Sequence, residues 1–153
     1  MMTVLPVNSD INMKKILFVC TGNTCRSPMA QAILNFFSNS QDFIADSCGI
    51  YADGISKISN NAKEVLKNHG IDFDYTSKPV SSELINDADI VICMTQNHYN
   101  VLTSMFHELS DKIFIMPKDI SDPYGGNYDE YESCYNEIYD SIKTILSQLN
   151  TTK

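Results

Sequence analysis

The sequence lacks any apolar run approaching the roughly 18–20 residues that are needed to span a bilayer. The N-terminal segment MMTVLPVNSDINM also lacks a basic stretch followed by an apolar one, which is the pattern of a secretory signal. We therefore expect no membrane span and no signal peptide. We expect residues 1–13 to form a disordered extension ahead of a domain that covers residues 14–150.

Paired cysteines and metal-ligand spacings are also missing. The five cysteines are an odd number with no CxxC pair, and none of the three histidines stands at ligand spacing from a cysteine. These absences exclude a disulfide framework and a zinc site. Reduced thiols are typical of the cytoplasm, so we expect a cytoplasmic protein without a metal or an organic cofactor.

Positive charge is scarce, with 11 Lys and Arg against 19 Asp and Glu and a formal net charge of -8. This balance argues against a nucleic acid or an anionic membrane as a partner. An anion can bind such a chain only where the local charge is positive, so a lysine or arginine near a loop is a candidate for an anion site. The sequence does not predict an oligomeric state.

What is present is a chain of 153 residues with 43% apolar and 20% charged residues, enough for one globular domain. Apolar segments at residues 15–20, 43–48, 88–94 and 112–117 predict strands, and helical patterns lie between them and after the last. Ser27 followed by Pro28 predicts the N-cap and first position of the first helix. This alternation predicts a single-domain three-layer α/β/α fold with a four-stranded parallel sheet.

The loop after the first strand, CTGNTCRSP, carries residue types suited to holding an anion. Ligands of open α/β sheets bind at the carboxyl ends of the strands, where helix N-termini present free N–H groups. Gly22 and Asn23 tolerate positive φ, which lets successive N–H groups face inward, and Arg26 offers a planar fork for two phosphate oxygens. We therefore predict a phosphate-binding loop made of Thr21, Gly22, Asn23, Thr24, Cys25, Arg26 and Ser27.

Cys20 stands at the base of this predicted loop, which suggests catalysis. The N–H groups and Arg26 that bind phosphate would also lower the pKa of a cysteine, from about 8.5 to roughly 3.5–7.5. A thiolate beneath a phosphoryl group can attack it in line and form a phosphocysteine. Asp122, in the loop DISDPYGG after the fourth predicted strand, is our candidate for the general acid and later the base for water.

The two motifs VCTGNTCRSP and DPYGG together resemble the low-molecular-weight protein-tyrosine phosphatases. Their signature is C-x5-R-S at the end of the first strand, with a catalytic Asp-Pro near the C-terminus. The resemblance implies that Cys20 is the nucleophile, that Arg26 binds phosphate and that Asp122 is the acid. It also implies that Asn23 holds the loop, that Ser27 hydrogen-bonds the thiolate, and that Tyr124 and Tyr51 form walls of the substrate cleft.

Thr24 departs from the commonest family pattern, which has a branched aliphatic residue at this position. The sequence CTGNTCRSPMA more closely resembles the bacterial branch that includes protein-arginine phosphatases, where this threonine helps to select phosphoarginine. A hydroxyl can accept a hydrogen bond from a guanidinium, whereas an aliphatic side chain favours an aryl ring. Phosphotyrosine and phosphoarginine, in proteins or peptides, both remain open as substrates. Met94-Thr95 also replaces the frequent Met-Asp of the family.

Other interpretations compete with this one. Cys25 could form a protective disulfide with Cys20, or it could be a small buried residue. An arsenate reductase of this fold needs two further redox cysteines after the third strand, where the chain has only Cys93. A non-catalytic phosphate- or flavin-binding module has no need of cysteine and arginine at this spacing, and Asp122 would have no role in it. A phosphocysteine carrier would not need Arg26.

Overall fold

The computed structural model describes residues 14–38 and 42–150. The predicted extension at residues 1–13 lies outside the described residues. Within the described part, no helix combines the length and the apolar character that crossing a membrane requires.

Four parallel strands form the central sheet, as predicted. They are β1 (Lys14–Cys20), β2 (Phe43–Gly49), β3 (Ile90–Cys93) and β4 (Ile113–Ile115), in the spatial order β2-β1-β3-β4. The chain leaves β1 toward β2 on one side and returns to β3 on the other, so the carboxyl end of β1 lies at the topological switch point. The loop that carries the predicted chemistry begins at this end.

Helices cover both faces of the sheet and complete the predicted three layers. The helices are α1 (Arg26–Phe37), α2 (Asn60–Asn68), α3 (Ser82–Asp87), α4 (Gln96–Met105) and α5 (Tyr128–Asn150). On β1, Phe18 and Cys20 face the core that α1, α2 and α5 cover, while Leu17 and Val19 face the core under α3 and α4. This alternation follows from the two-residue period of a strand, and it directs Cys20 toward α1.

Two short elements were not predicted, namely α3 and a 3-10 helix at His107–Lys112. Each has six residues, which is too few for a helical period to stand out in the sequence. They connect larger elements on the α4 side of the sheet and do not line the cavity described below.

The predicted start of α1 is wrong by two residues. The helix begins at Arg26, and its N-cap is Cys25 without a side-chain cap. Ser27 does not cap the helix because its buried hydroxyl is engaged inside the preceding loop, 2.9 Å from the Cys20 Sγ and 2.8 Å from the Asn23 Nδ2. Pro28 is therefore the third helical residue, where its missing N–H still removes no intrahelical bond.

Candidate active site

Residues 21–25 turn the chain sharply between β1 and α1. Asn23 has a φ of 60° and is the one non-glycine residue in the left-handed region within the described part of the chain. Gly49, at the end of β2, leaves room for this turn. A Cβ at Gly49 would lie 2.6 Å from the Thr21 carbonyl oxygen and 2.9 Å from the Asn23 nitrogen, so the adjacent strand must end in glycine.

The side chain of Asn23 holds the turn in place and is fully buried. Its Nδ2 donates to the Ser27 Oγ at 2.8 Å and to the Ser47 Oγ at 3.0 Å. Its Oδ1 accepts the Lys78 backbone N–H at 2.8 Å. Three hydrogen bonds therefore compensate for the uncommon backbone conformation, in line with the loop-holding role that the resemblance implies.

Cys20 lies at the base of the loop and is 3% exposed. Its Sγ is 2.9 Å from the Ser27 Oγ and accepts the Asn23 backbone N–H at 3.3 Å. Burial raises the pKa of the Cys20 thiol, while the Ser27 hydroxyl and N–H, the Arg26 charge and the Asn23 N–H lower it. Burial has the largest effect and the net direction is upward, so the predicted lowering is not found. The sequence identifies the groups that stabilise the thiolate but not the desolvation that opposes them.

Arg26 is the first residue of α1 and is 6% exposed. Its Nη1 donates to the Ile120 carbonyl oxygen at 3.0 Å, and its Nη2 lies 3.5 Å from the Asp122 Oδ2. The guanidinium is thereby fixed between the loop after β1 and the loop after β4. Asp122 remains about half exposed, and its Oδ1 accepts the Tyr124 N–H at 3.1 Å, so its carboxylate is held at the mouth of the site.

These groups surround one cavity of about 480 Å³. Tyr51 and Tyr124 stand at its rim and are 75% and 77% exposed. Ser27 does not line the cavity and acts from beneath it. The structure therefore brings together the predicted residues Cys20, Thr21, Gly22, Asn23, Thr24, Cys25, Arg26, Tyr51, Asp122 and Tyr124, and it adds Asp53, Ser56, Lys57 and Ser59, which were not predicted.

Cys25 packs behind the loop and is 5% exposed. Its Sγ lies 3.3 Å from the Tyr131 hydroxyl, and its thiol donates to the Ser59 Oγ at 3.7 Å. Burial and this thiol raise the pKa of Tyr131 to about 12, so the tyrosine stays protonated. The five cysteines are all free and buried. A redox role for Cys25 remains a prediction.

The sequence did not predict a role for His98, although it lies directly behind the loop. Its Nε2 is 2.8 Å from the Thr21 Oγ1 and its Nδ1 is 2.9 Å from the Thr95 Oγ1. Burial, reinforced by the Arg26 charge, lowers the pKa of His98 to about 4, so the ring is neutral at pH 7. The one available signal was Thr95, a residue type that is typical of an N-cap and that places His98 in the first turn of α4.

No group of three or more His, Cys, Asp or Glu side chains is arranged to hold a metal ion in residues 14–38 and 42–150. The cavity instead combines the loop that follows β1 with the Arg26 guanidinium, the Cys20 thiol and the Asp122 carboxyl group. This arrangement suits a tetrahedral anion with a nucleophile beneath it and a carboxyl group above it.

Comparison with known proteins gives consistent matches over nearly the whole chain. The profile of the family described as low molecular weight phosphotyrosine protein phosphatase matches residues 15–153. The protein-arginine-phosphatase of Geobacillus stearothermophilus is 38% identical, over 90% of this chain and 97% of its own length. The low molecular weight protein-tyrosine-phosphatase PtpB of Staphylococcus epidermidis is 37% identical, over 86% of this chain and 96% of its own.

A solved structure of a YwlE arginine phosphatase mutant with a phosphorylated active-site serine also matches this fold. The two structures superpose with a TM-score of 0.85 at 32% sequence identity, and the match covers 89% of this chain and 95% of that one.

Proposed function

This chain belongs to the low molecular weight phosphotyrosine protein phosphatase family, and we propose that it removes phosphoryl groups from protein side chains at Cys20, with phosphoarginine preferred. The chain is a phosphatase, as are the relatives that it matches along its length. The observation that carries the proposed mechanism is the placement of Cys20 and Arg26 on one loop, with the Asp122 carboxylate 3.5 Å from the Arg26 guanidinium.

In the first step the Cys20 thiolate attacks the phosphorus atom in line with the bond to the leaving group. A P–S bond forms and the bond to the leaving nitrogen or oxygen breaks, and the leaving atom takes the proton of Asp122. Arg26 and the loop N–H groups stabilise the charge on the equatorial oxygens. The phosphorylated active-site serine of the YwlE mutant supports a covalent intermediate at this position.

In the second step water attacks the phosphocysteine. The Asp122 carboxylate accepts a proton from the water, the P–S bond breaks, and inorganic phosphate and the Cys20 thiolate are released.

Since burial favours the protonated thiol, the thiolate that starts the first step has to form when the substrate binds, and the proton of Cys20 then passes to the phosphoryl dianion. The Ser27 hydroxyl and the Asn23 N–H then stabilise the thiolate that remains.

The proposed preference for phosphoarginine rests on two polar residues that line the cavity. Thr24 lines this cavity and is half-buried, and Asp122 lines it as well. A hydroxyl oxygen and a carboxyl oxygen can both accept hydrogen bonds from a guanidinium. The guanidinium charge also makes phosphoarginine less anionic than phosphotyrosine, which the net charge of -8 favours. Phosphotyrosine is the second candidate, because the exposed Tyr51 and Tyr124 rings offer an aromatic rim.

Paired peptides that carry phosphoarginine or phosphotyrosine in the same sequence test the preference. We expect the wild type to show the higher kcat/KM on phosphoarginine. Thr24→Ile should lower the phosphoarginine-to-phosphotyrosine ratio about tenfold, as the loss of one hydrogen bond in the transition state would. Thr24→Ser, which keeps the hydroxyl, is the matched control and should keep the ratio.

An unchanged ratio in Thr24→Ile, or an equal loss in Thr24→Ser, would contradict the role of the hydroxyl. Faster hydrolysis of phosphotyrosine by the wild type would replace the proposed substrate and leave the phosphatase mechanism intact. Cys20→Ser should abolish turnover while vanadate binding remains measurable, and persistent turnover would reject the mechanism.

We also propose a cytoplasmic location. All five cysteines are free and buried, and thiols persist in this state in a reducing compartment. Measuring activity in fractionated cells would test this, and recovery of the protein in an oxidising compartment would contradict it.

A further inference from the structure

His98 connects the loop after β1 to the N-terminus of α4, and none of the proposed chemical steps uses it. The residue is 5% exposed. Both of its ring nitrogens have a threonine hydroxyl as partner, the Thr21 Oγ1 at 2.8 Å and the Thr95 Oγ1 at 2.9 Å. A buried imidazole with two short hydrogen bonds has a fixed orientation.

Thr95 fixes this histidine from the helix side. It is the N-cap of α4, and its Oγ1 accepts the His98 backbone N–H at 3.2 Å. The side chain and backbone of His98 are therefore anchored to the same residue, and the ring stands in a set position relative to the helix. The remaining ring nitrogen, Nε2, points to the loop.

Thr21 is the residue directly after Cys20, so its position determines where the loop begins to turn. Its carbonyl oxygen accepts the Tyr51 N–H at 2.8 Å, and its hydroxyl contacts His98. Asn23, two residues later, is anchored on the other side of the loop, to Ser47 on β2 and to Lys78. The loop is thus held from the β2 side by Asn23 and from the α4 side by Thr21.

We propose that His98 is a positioning residue of the phosphatase site, which acts by holding the Thr21 hydroxyl and so the first turn of the phosphate-binding loop. This inference rests on the proposed function. The N–H groups of the loop stabilise the transition state only if they point at the equatorial oxygens. Loss of the Thr21 contact therefore lowers kcat more than it raises KM.

The substitutions His98→Asn and His98→Gln separate the contacts of the two ring nitrogens. The side-chain amide of glutamine can occupy the position of the histidine Nε2, whereas the amide of the shorter asparagine can occupy only the position of Nδ1. His98→Asn should keep the Thr95 contact and lose the Thr21 contact, and kcat should fall about tenfold with KM within about threefold. His98→Gln should restore kcat to within about threefold of the wild type.

A double-mutant cycle tests whether the effect passes through Thr21. Thr21→Val removes the same hydrogen bond from its other side, so the variant combining it with His98→Asn should be no slower than the slower single variant. Folded fractions are compared by near-ultraviolet circular dichroism, and kcat is calculated per folded molecule. If His98→Asn does not fold, Thr21→Val alone must still lower kcat by a larger factor than it raises KM.

Equal kcat values for His98→Asn and His98→Gln, or losses that multiply in the double variant, would overturn the inference. The inference would also be overturned if His98→Asn lost phosphate affinity by the same factor as kcat, because this would indicate general damage to the loop. These results differ from failure of the proposed function, in which the wild type itself would hydrolyse neither phosphopeptide.

Discussion

Replacing Ser27 by alanine removes the hydroxyl that lies closest to the proposed nucleophile. The Ser27 Oγ is 2.9 Å from the Cys20 Sγ and both side chains are buried. This hydroxyl lowers the pKa of Cys20 against the opposing effect of burial. We therefore expect Ser27→Ala to raise the pKa further and to shift activity toward higher pH, since the thiolate is the reactive form.

The size of the effect follows from the kind of bond that is lost. A hydrogen bond to a charged group contributes about 1.5–3 kcal/mol. At a fixed pH below the pKa of Cys20, this corresponds to a thiolate population that is roughly 10- to 100-fold smaller. The same substitution removes one of three partners of the buried Asn23 side chain, so we also expect a loss of about 1–3 kcal/mol in the free energy of unfolding.

The assay is the rate of alkylation of Cys20 by iodoacetamide as a function of pH. Peptide mass spectrometry assigns the label to Cys20, because four other cysteines are present. The acid limb of kcat/KM against pH should move in the same direction. Ser141→Ala is the matched control, because Ser141 is also buried but lies on α5. An alkylation midpoint that does not move in Ser27→Ala, or that moves equally in Ser141→Ala, would contradict the role of the Ser27 hydroxyl.

Three further substitutions test the roles of Asp122, His98 and Gly49. Asp122→Asn should reduce kcat/KM on phosphoarginine peptides by about 100-fold or more and affect p-nitrophenyl phosphate much less; equal losses would exclude Asp122 as the acid. The pKa of His98 is about 4 in the folded chain against an ordinary 6.5, so the unfolded chain binds the proton more readily between these values. The free energy of unfolding in urea should therefore fall by roughly 3 kcal/mol from pH 6.5 to pH 4 because of His98. If His98→Gln lost as much stability as the wild type over this pH range, His98 would not be the cause. In Gly49→Ala the new Cβ would meet the Thr21 carbonyl oxygen at 2.6 Å, so vanadate inhibition should weaken, whereas unchanged inhibition would show that the loop tolerates the contact.

The central features of the site could be predicted because they are local in sequence or fixed by topology. Cys20 and Arg26 belong to one short loop whose residue types already indicate an anion site. Asp122 follows a different strand, but parallel strands bring their carboxyl ends to one edge of the sheet, so its proximity to Arg26 could be expected. The four strands themselves were evident as apolar runs between helical patterns.

The features that escaped prediction depend on contacts between distant positions. Ser27 was expected to cap α1, but its hydroxyl lies 2.9 Å from the Cys20 Sγ, the contact that the family resemblance implies, and accepts a hydrogen bond from the Asn23 amide, which was not predicted. His98 lies 77 positions from Thr21 in sequence, and no local pattern connects the two. The pKa of Cys20 depends on how completely the thiol is buried, and the sequence alone does not give that degree of burial.

In the proposed mechanism the phosphoryl group passes through a covalent bond to Cys20. The most direct measurement is rapid quenching of the enzyme during turnover of a phosphopeptide, followed by mass spectrometry of the Cys20 peptide. We expect one phosphoryl group on Cys20 in the wild type, and neither phosphoenzyme nor turnover in Cys20→Ala. Turnover by Cys20→Ala, or a phosphoryl group found on another residue instead, would contradict it.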